Sequence, residues 1–198
     1  LIVRIETVKS SNNLLIDGPI ILIPDKYSDE RGYFYESWNK KNFNKIIKRE
    51  VSFVQDNHSL SRYGVLRGLH FQKGQSAQAK LIRVINGKIL DVIVDIRINS
   101  LTFKEWAIIE ISKKNRKQLW IPEGFAHGFI TVSKIAELNY KTNNFWDKDF
   151  ERTIIWDDKD LKINWKLKEL NLQKPFISEK DISGDTLHYL KKKRDLFL

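Results

Sequence analysis

The strongest constraint on the fold is a series of short apolar runs, rich in β-branched residues, that recur along the chain. They cover residues 14–16, 20–23, 80–85, 89–96, 106–111 and 129–132. Turn residues separate these runs at a spacing of roughly ten residues, which is typical of β-sandwiches and β-barrels. The sequence therefore predicts an all-β fold.

The run at residues 89–96 alternates as a strand does. Leu90 and Val92 fall on one face, and Ile89 and Asp91 fall on the other. This period of two predicts a half-buried strand and argues against a helix. Asn86-Gly87 precedes the run, and both residue types tolerate positive φ, so the sequence predicts a β-hairpin at that point.

Helical periodicity is weak and confined to two places. Asn39 can cap a short helix that extends through Lys48, with Phe43 and Ile46 on its inner side. A second short helix is expected near Ser178, where a capping serine precedes acidic residues. Internal repeats and low-complexity linkers are lacking, so we expect an all-β unit with short flanking helices.

Composition sets the class of protein. The 198 residues contain no cysteine, which excludes disulfides and thiolate chemistry. We expect a single domain over residues 1–198. The apolar runs are too short to span a bilayer, and no basic-then-apolar leader opens the chain, so we expect a cytoplasmic protein without a membrane partner.

The formal net charge of +10 raises the question of nucleic-acid binding. Lysines and arginines are scattered along the chain, and their densest run, residues 191–194, lies in a tail. We therefore expect no nucleic-acid partner. A positive field equally suits a small molecule that carries a diphosphate.

Polar residues that a core does not need are concentrated in five segments, namely residues 29–36, 55–58, 66–72, 122–129 and 139–152. His70 is the most informative of them. A lone histidine in a strand is commonly a core residue bonded to a backbone carbonyl. Arg67 and Lys80 place two cations near it, however, and a core rarely holds unpaired cations. Alternation puts Arg67 and His70 on opposite faces, so we predict a β-bulge at Gly68 that brings them into one pocket.

The segment Pro122-x-Gly-x-x-His127 matches the second half of a cupin pattern, in which a turn delivers a histidine onto an inward-facing strand. Metal-binding cupins carry His-x-His in the first half, whereas this chain has His70-Phe71-Gln72. Lys80 would repel a cation, and two histidines make a poor metal site. We therefore expect a cupin-like antiparallel jelly roll without a metal.

Tyr140 is the remaining candidate for chemistry. A tyrosine in a strand is most often a packing residue. A hydroxyl inside a barrel nevertheless needs a hydrogen-bond partner, and a substrate can supply one.

Taken together, these segments resemble the dTDP-4-dehydrorhamnose 3,5-epimerase family. The resemblance covers residues 18–181 and rests on five segments in order. They are Gln55-Asp56-Asn57-His58-Ser59, Val65-Leu66-Arg67-Gly68-Leu69-His70-Phe71-Gln72, Lys80-Leu81-Ile82-Arg83-Val84, Leu119-Trp120-Ile121-Pro122 through Phe129, and Tyr140-Lys141-Thr142.

The resemblance implies a homodimer that needs no cofactor and converts dTDP-4-dehydro-6-deoxy-D-glucose to dTDP-4-dehydro-L-rhamnose for dTDP-L-rhamnose synthesis. It implies that His70 is the base, that Asp181 is its carboxylate partner, and that Tyr140 is the acid. Removing a proton next to a ketone requires that the enolate be stabilised, and protonated Lys80 near the C4 oxygen would do so.

The same resemblance implies a set of substrate contacts, made by Arg31, Phe34, Glu36, Gln55, Asn57, Arg67, His127, Trp146, Glu151 and Lys180. Arg31 and Glu36 are expected to reach across the dimer interface. The family often has a tyrosine where this chain has Trp146, and the larger ring can still stack on the thymine.

Three alternatives remain at this point. An enzyme of the same fold could invert one centre only or use another 4-keto sugar nucleotide. A metal-dependent cupin oxygenase would need a metal site. A non-catalytic sugar-binding cupin would explain the barrel and the arginines, but not the combination of His70, Lys80 and Tyr140.

Overall fold

Two antiparallel β-sheets packed against each other form most of the molecule in the computed structural model, which describes residues 3–198. The first two residues of the predicted domain lie outside the described residues. The six-stranded sheet contains, in spatial order, β1 (Val3–Lys9), β2 (Leu15–Pro24), β10 (Gln118–Ile121), β7 (Lys80–Asn86), β12 (Ile135–Thr142) and β5 (Gln55–Arg62). The all-β prediction is confirmed.

The five-stranded sheet contains, in spatial order, β13 (Glu151–Thr153), β6 (Leu66–Gln72), β11 (Phe125–Thr131), β8 (Lys88–Asp95) and β9 (Trp106–Ser112). A separate two-stranded hairpin consists of β3 (Tyr27–Asp29) and β4 (Gly32–Phe34). The helices are short: α1 (Lys40–Ile47), α2 (Glu179–Ile182) and α3 (Leu187–Lys192). In the part of the chain that the structure describes, no helix has the length and apolar character needed to cross a membrane.

The main core lies between the two sheets. Aliphatic residues of both sheets fill it, including Ile82 and Leu119 from one and Ile93 and Ile111 from the other, all fully buried. A second cluster covers the outer face of the five-stranded sheet, where side chains of the C-terminal segment such as Leu187 pack on the strands. The five-stranded sheet is therefore the central layer of the molecule.

The strand predicted at residues 89–96 is present as β8, but its burial differs from the prediction. Ile89 and Ile93 face the core between the sheets, while Val92 and Val94 pack under the C-terminal segment. The prediction of a half-buried strand is wrong because residues distant in sequence cover the second face. Asp91 is consequently held at zero exposure.

The predicted hairpin at Asn86-Gly87 is wrong. Strand β7 pairs with β10 and β12, whereas β8 pairs with β11 and β9, so the chain crosses between sheets at this turn. Gly87 has a φ of 78°, and a Cβ there would collide with the Ile135 carbonyl oxygen. The glycine is required for a tight corner between two layers.

Other boundaries differ in detail. The runs at 14–16 and 20–23 form one strand, β2, which pairs with β1 through a register shift between Thr7 and Val8. Strand β11 begins at Phe125, four residues before the predicted start. The side chain of Asn39 accepts a hydrogen bond from the Asn42 amide, 3.1 Å away, which confirms the predicted cap of α1. Helix α3 was not predicted.

Candidate active site

A cavity of about 320 Å³ opens between the two sheets and is lined by strands of both. Many of its lining residues are ones predicted from the sequence: Arg67, His70, Lys80, His127, Tyr140, Trp146, Glu151, Lys180 and Asp181. A smaller cavity of about 110 Å³ shares His70, Lys80 and Tyr140 and adds Gln55 and Asn57. The structure thus brings the predicted base, ammonium and phenol to one void.

The predicted bulge in β6 is confirmed. His70 pairs with His127 and Arg67 pairs with Phe129, so two residues of β6 lie opposite Gly128 alone. Gly68 has a φ of 113°, and a Cβ there would lie 2.6 Å from both the Gly128 Cα and the His127 carbonyl oxygen. The bulge requires glycine, and it turns Arg67 and His70 toward the same cavity.

His70 and Asp181 form a close pair although 111 residues separate them. The His70 Nε2 lies 2.6 Å from Oδ1 of Asp181, and Oδ2 of the same carboxylate accepts a hydrogen bond from the Gly68 amide at 3.1 Å. Burial tends to raise the pKa of Asp181, but hydrogen bonding and charge attraction from His70 hold that pKa below its usual value. Asp181 is therefore a carboxylate, and it fixes the proton of His70 on Nε2.

Helix α2 places Asp181 beneath the histidine. The Ser178 side chain accepts a hydrogen bond from the Asp181 amide at 3.2 Å, which confirms the predicted capping serine. Lys180, which directly precedes Asp181, reaches over the cavity. Its Nζ lies 2.6 Å from Oε2 of Glu151. One turn of helix thus supplies both a carboxylate and a cation to the cavity.

Lys80 begins strand β7 at the side of the cavity. Burial lowers the pKa of its ammonium to about 8, against the attraction of the carboxylates of Glu151 and Asp91, while Lys180 adds repulsion. Within residues 3–198, its Nζ makes no hydrogen bond or ion pair. Its donors are therefore available to a ligand.

His127 and Asp91 form a second buried pair. The His127 Nε2 lies 2.9 Å from Oδ2 of Asp91. Burial lowers the pKa of His127 and raises that of Asp91, and their mutual attraction opposes both shifts. His127 is consequently a neutral side chain that lines the cavity beside His70.

Tyr140 enters the cavity from strand β12. Burial raises the pKa of its hydroxyl, and the guanidinium of Arg67 opposes the shift. The Nε of Arg67 donates a hydrogen bond to the Ser61 hydroxyl at 3.0 Å. The phenol therefore keeps its proton at neutral pH and lies in the field of a cation that a strand residue holds in place.

The cavity mouth is polar and has one exposed aromatic ring. Gln55 donates a hydrogen bond to Asn57 at 2.9 Å and accepts one from the Trp146 amide at 2.9 Å. The Trp146 residue is 54% exposed, so a face of the indole is open to solvent. Across residues 3–198, no three His, Asp or Glu side chains converge as metal ligands do.

A model of one protein family, described as dTDP-4-dehydrorhamnose 3,5-epimerase, matches residues 13–189 of this sequence. The chain belongs to the dTDP-4-dehydrorhamnose 3,5-epimerase family. It is accordingly an enzyme of the isomerase class, and the cupin-like jelly roll predicted from the sequence is confirmed by its structural relatives.

Members of this epimerase family resemble the chain over nearly its whole length. A dTDP-4-dehydrorhamnose 3,5-epimerase from Shigella flexneri is 52% identical over 169 residues, which are 85% of this chain and 91% of that protein. A solved dTDP-6-deoxy-D-glucose-3,5-epimerase from Legionella pneumophila, in complex with dTDP-4-keto-L-rhamnose, is 38% identical with a TM-score of 0.87 and covers 98% of both chains. A 3'-monoepimerase from Streptomyces bikiniensis, in complex with dTDP-quinovose, is 28% identical with a TM-score of 0.85, covering 91% of this chain and 89% of that one.

Three residues that the epimerase resemblance assigns to substrate lie away from the cavity. Arg31 and Phe34 belong to the β3–β4 hairpin, where the Arg31 side chain is 85% exposed and Phe34 is 70% exposed. Arg31 pairs with Asp29 at 2.6 Å within that hairpin. Glu36 lines a separate groove beside α1 and accepts a hydrogen bond from Asn39. Within one chain these residues do not meet the other predicted site residues.

The sequence reasoning missed two polar residues of this epimerase site. Asp91 is fully buried and pairs with His127, and its signal was a carboxylate on the same strand face as Ile89 and Ile93. Ser59 lines the cavity, and within the described residues its hydroxyl oxygen is buried without a hydrogen-bond partner. It lies on the inward face of β5, on the same side as Gln55 and Asn57, so strand alternation could have found it.

Proposed function

We propose that this chain inverts C3 and C5 of dTDP-4-dehydro-6-deoxy-D-glucose and so forms dTDP-4-dehydro-L-rhamnose for dTDP-L-rhamnose synthesis. The observation that carries the proposal is the meeting of His70, Lys80 and Tyr140 at one cavity. Each of the two carbons neighbours the C4 ketone, so one base, one acid and one oxyanion site can act on both.

His70 is the base in this proposal. Its Nε2–H donates to the Asp181 carboxylate, which leaves the lone pair of Nδ1 free to take a proton from carbon. The carboxylate also stabilises the imidazolium once it forms. When the C–H bond breaks, its electron pair moves to the C4 oxygen and an enolate results.

Lys80 stabilises that enolate. Its unpaired ammonium lies in a largely desolvated position, where a charge interacts more strongly with a developing oxyanion than it does in water. The lysine makes no ion pair in residues 3–198, so it does not have to break one before it binds the oxygen.

Tyr140 returns a proton to the carbon from the opposite face of the ring. Because burial raises the pKa of its hydroxyl, the phenol is protonated before the reaction, and Arg67 stabilises the phenolate afterwards. Loss of a proton from His70 to water, and uptake of one by Tyr140, restores the site. Hydrogen from solvent therefore enters the product.

Binding of the nucleotide uses the mouth of the cavity. The exposed indole of Trp146 offers a face for stacking on a base, and Gln55 and Asn57 lie beside it. The diphosphate carries charge that Arg67 and Lys180 can neutralise, and a guanidinium can bind two phosphate oxygens at once. Glu151 holds Lys180 in position at 2.6 Å.

The chain acts as a homodimer and as one domain in this proposal, and we expect it in the cytoplasm. Exposed aromatic side chains on the β3–β4 hairpin support the dimer, since apolar groups clustered on a surface commonly mark an interface. A second copy would place Arg31, Phe34 and Glu36 at the cavity of its partner. The lack of cysteine fits a cytoplasmic location.

The decisive test is incubation of the enzyme with dTDP-4-dehydro-6-deoxy-D-glucose in deuterated water, followed by NMR of the sugar. We expect the wild type to place deuterium at C3 and C5. His70→Ala should abolish exchange at both carbons while calorimetry still detects substrate binding. His58→Ala is the matched control, because His58 lies on the outer face of β5 with its side chain 55% exposed, and this variant should behave as the wild type does.

Each contrary result has a clear meaning. Exchange at one carbon alone in the wild type would make the chain a monoepimerase. Exchange that survives in His70→Ala would remove His70 from the role of base. No exchange at all, with substrate still bound, would favour a sugar-binding protein over an enzyme.

A further inference from the structure

The side chain of Asn143 links the segments next to three strands, those that bring Lys80, Tyr140 and His127 to the cavity. Its Oδ1 accepts a hydrogen bond from the Ala79 amide at 2.7 Å, directly before Lys80. Its Nδ2 donates to Oε1 of Glu123 at 2.6 Å, in the turn that leads to His127. Asn143 itself follows β12, the strand of Tyr140.

The backbone around this side chain is paired on both sides of Lys80. In the sheet, Lys80 lies opposite Ile121 of β10 and Thr142 of β12. Ala79 is fully buried, and its amide has the Asn143 side chain as its partner. A buried amide that loses its partner is costly, so the start of β7 depends on Asn143.

Glu123 anchors Asn143 from the other side. Two hydrogen bonds of 3.0 Å from the guanidinium of Arg49 hold the carboxylate, whose pKa is lowered by Arg49 and Asn143 despite partial burial. The anchor is therefore a charged acceptor with a fixed orientation. Glu123 and Arg49 do not line the cavity.

We propose that Asn143 is a positioning residue that sets the place of the Lys80 ammonium relative to Tyr140 and His127. The proposal rests on the proposed function, because Lys80 has this importance only if it binds the enolate oxygen. Asn143 itself is absent from the residues that line either part of the cavity, so it acts through the strands. Displacement of a catalytic group by about 1 Å costs roughly 100-fold in rate.

The first test is Asn143→Leu, which keeps the size of the side chain and removes both hydrogen bonds. We expect kcat to fall by about 10- to 100-fold while KM stays within about twofold, because the group moved acts on the transition state. The fall of kcat/KM at alkaline pH should also move to higher pH, since a loosened Lys80 regains solvent and its pKa rises from about 8 toward the ordinary value.

The second test is a rescue. Asn143→Asp keeps the acceptor for the Ala79 amide but sets a carboxylate against Glu123, so it should lose activity. Adding Glu123→Gln restores a donor on that side, since the new amide can donate to the aspartate, and the double variant should recover most of kcat. The kcat of Glu123→Gln alone should lie between those of Asn143→Asp and the double variant.

Asn115→Leu is the matched control for stability. Asn115 also ties a turn through its side chain, accepting from the Ser112 and Lys117 amides at 3.0 Å, but that turn lies between β9 and β10, outside the cavity lining. We expect it to lower the melting temperature without changing kcat or the pH profile.

The outcomes distinguish the proposed function from the positioning role of Asn143. No solvent exchange in the wild type would overturn the proposed function. Wild-type exchange together with an unchanged kcat in Asn143→Leu would overturn the positioning role alone. The role would also be wrong if Asn143→Leu behaved as Asn115→Leu does, or if the double variant failed to recover kcat.

Discussion

The two carboxylate oxygens of Asp91, a residue at the centre of the molecule, have different surroundings. One oxygen lies 2.9 Å from His127, and the other, within residues 3–198, has no hydrogen-bond partner although it is buried. Burial raises the pKa of this carboxyl, while His127 and Lys80 attract its charged form. Asp91 thus supports the cation of Lys80 at a distance and leaves the donors of that lysine unoccupied.

The charge of Lys80 makes the reaction sensitive to alkaline pH, at which the ammonium is lost. We expect kcat/KM to fall as pH rises through about 8, because the ammonium of the free enzyme loses its proton there. Tyr140 does not share this limb, since its pKa is raised from an ordinary value of about 10. Lys80→Arg, which stays charged, should have a lower kcat/KM without this alkaline fall, and the pH dependence of kcat/KM measures both effects.

Lys134→Arg is the control for that experiment, because Lys134 is exposed at the turn before β12. It should keep the alkaline limb of the wild type. An alkaline limb that persists in Lys80→Arg would mean that another group carries it.

The local sequence pattern was sufficient to predict His70, Lys80 and Tyr140 as site residues, because each is a titratable side chain in a strand-like segment. It also found the bulge, since alternation and one glycine sufficed to predict it. Asp91 escaped because its partner His127 comes from a different strand, and no local pattern reports such a pairing. Asp181 was assigned by resemblance alone, since 111 residues separate it from His70.

At the scale of elements, the bulge in β6 is the feature on which the site depends. Without it, Arg67 and His70 would lie on opposite faces of the strand. The added residue also brings the Gly68 amide to the Asp181 carboxylate at 3.1 Å. One irregularity in a strand therefore aims the proposed base and orients its carboxylate partner.

Gly68→Ala tests the bulge. A Cβ there meets backbone atoms at 2.6 Å and an unfavourable φ of 113°, so we expect a loss of about 2 to 5 kcal/mol in the free energy of unfolding. Gly32→Ala is the control, since its φ is 130° but nothing lies within 4 Å of the added carbon. Urea unfolding of both variants would contradict the crowding at Gly68 if their losses were equal.

The pairing of elements was harder to predict than their existence. Asn86-Gly87 has the chemistry of a hairpin turn, yet the strands on either side enter different sheets. A turn fixes the direction of the chain over a few residues, whereas the pairing is decided by which strands bury their faces together. The burial of both faces of β8 was missed for the same reason, because its outer cover comes from residues after 153.

At the scale of the whole molecule, the β3–β4 hairpin stands apart from the cavity of its own chain. It forms a separate two-stranded sheet and exposes Tyr27, Tyr33 and Phe34. Within a single chain more than half of each of these residues stays exposed. In the proposed homodimer, a second copy related by a twofold axis covers both hairpins and completes both cavities.

Mixing two inactive variants tests this arrangement. In the proposed dimer, Arg31→Ala and His70→Ala fall in the same site when they share a mixed dimer, so the other site of the two is intact. Equal mixing with subunit exchange should restore about one quarter of the wild-type activity, because half of the dimers are mixed. The solvent-exchange assay measures the recovered activity, and light scattering measures the mass of the assembly.

The control mixes His70→Ala with Tyr140→Phe, since both residues line the same cavity of one chain. A mixed dimer of these two contains no intact site, because each cavity carries one of the two changes, so this mixture should stay inactive. If the Arg31→Ala mixture also stays inactive although native mass spectrometry detects mixed dimers, Arg31 does not act across the interface.

The distance in sequence between His70 and Asp181 has a consequence for synthesis. A ribosome builds the chain from the N-terminus, so the strands of both sheets are complete by residue 153, well before the carboxylate exists. A nascent chain can therefore close its barrel and still lack the partner that orients its imidazole. In the proposed mechanism, chemistry therefore begins only after the segment that contains Asp181 has left the ribosome and docked.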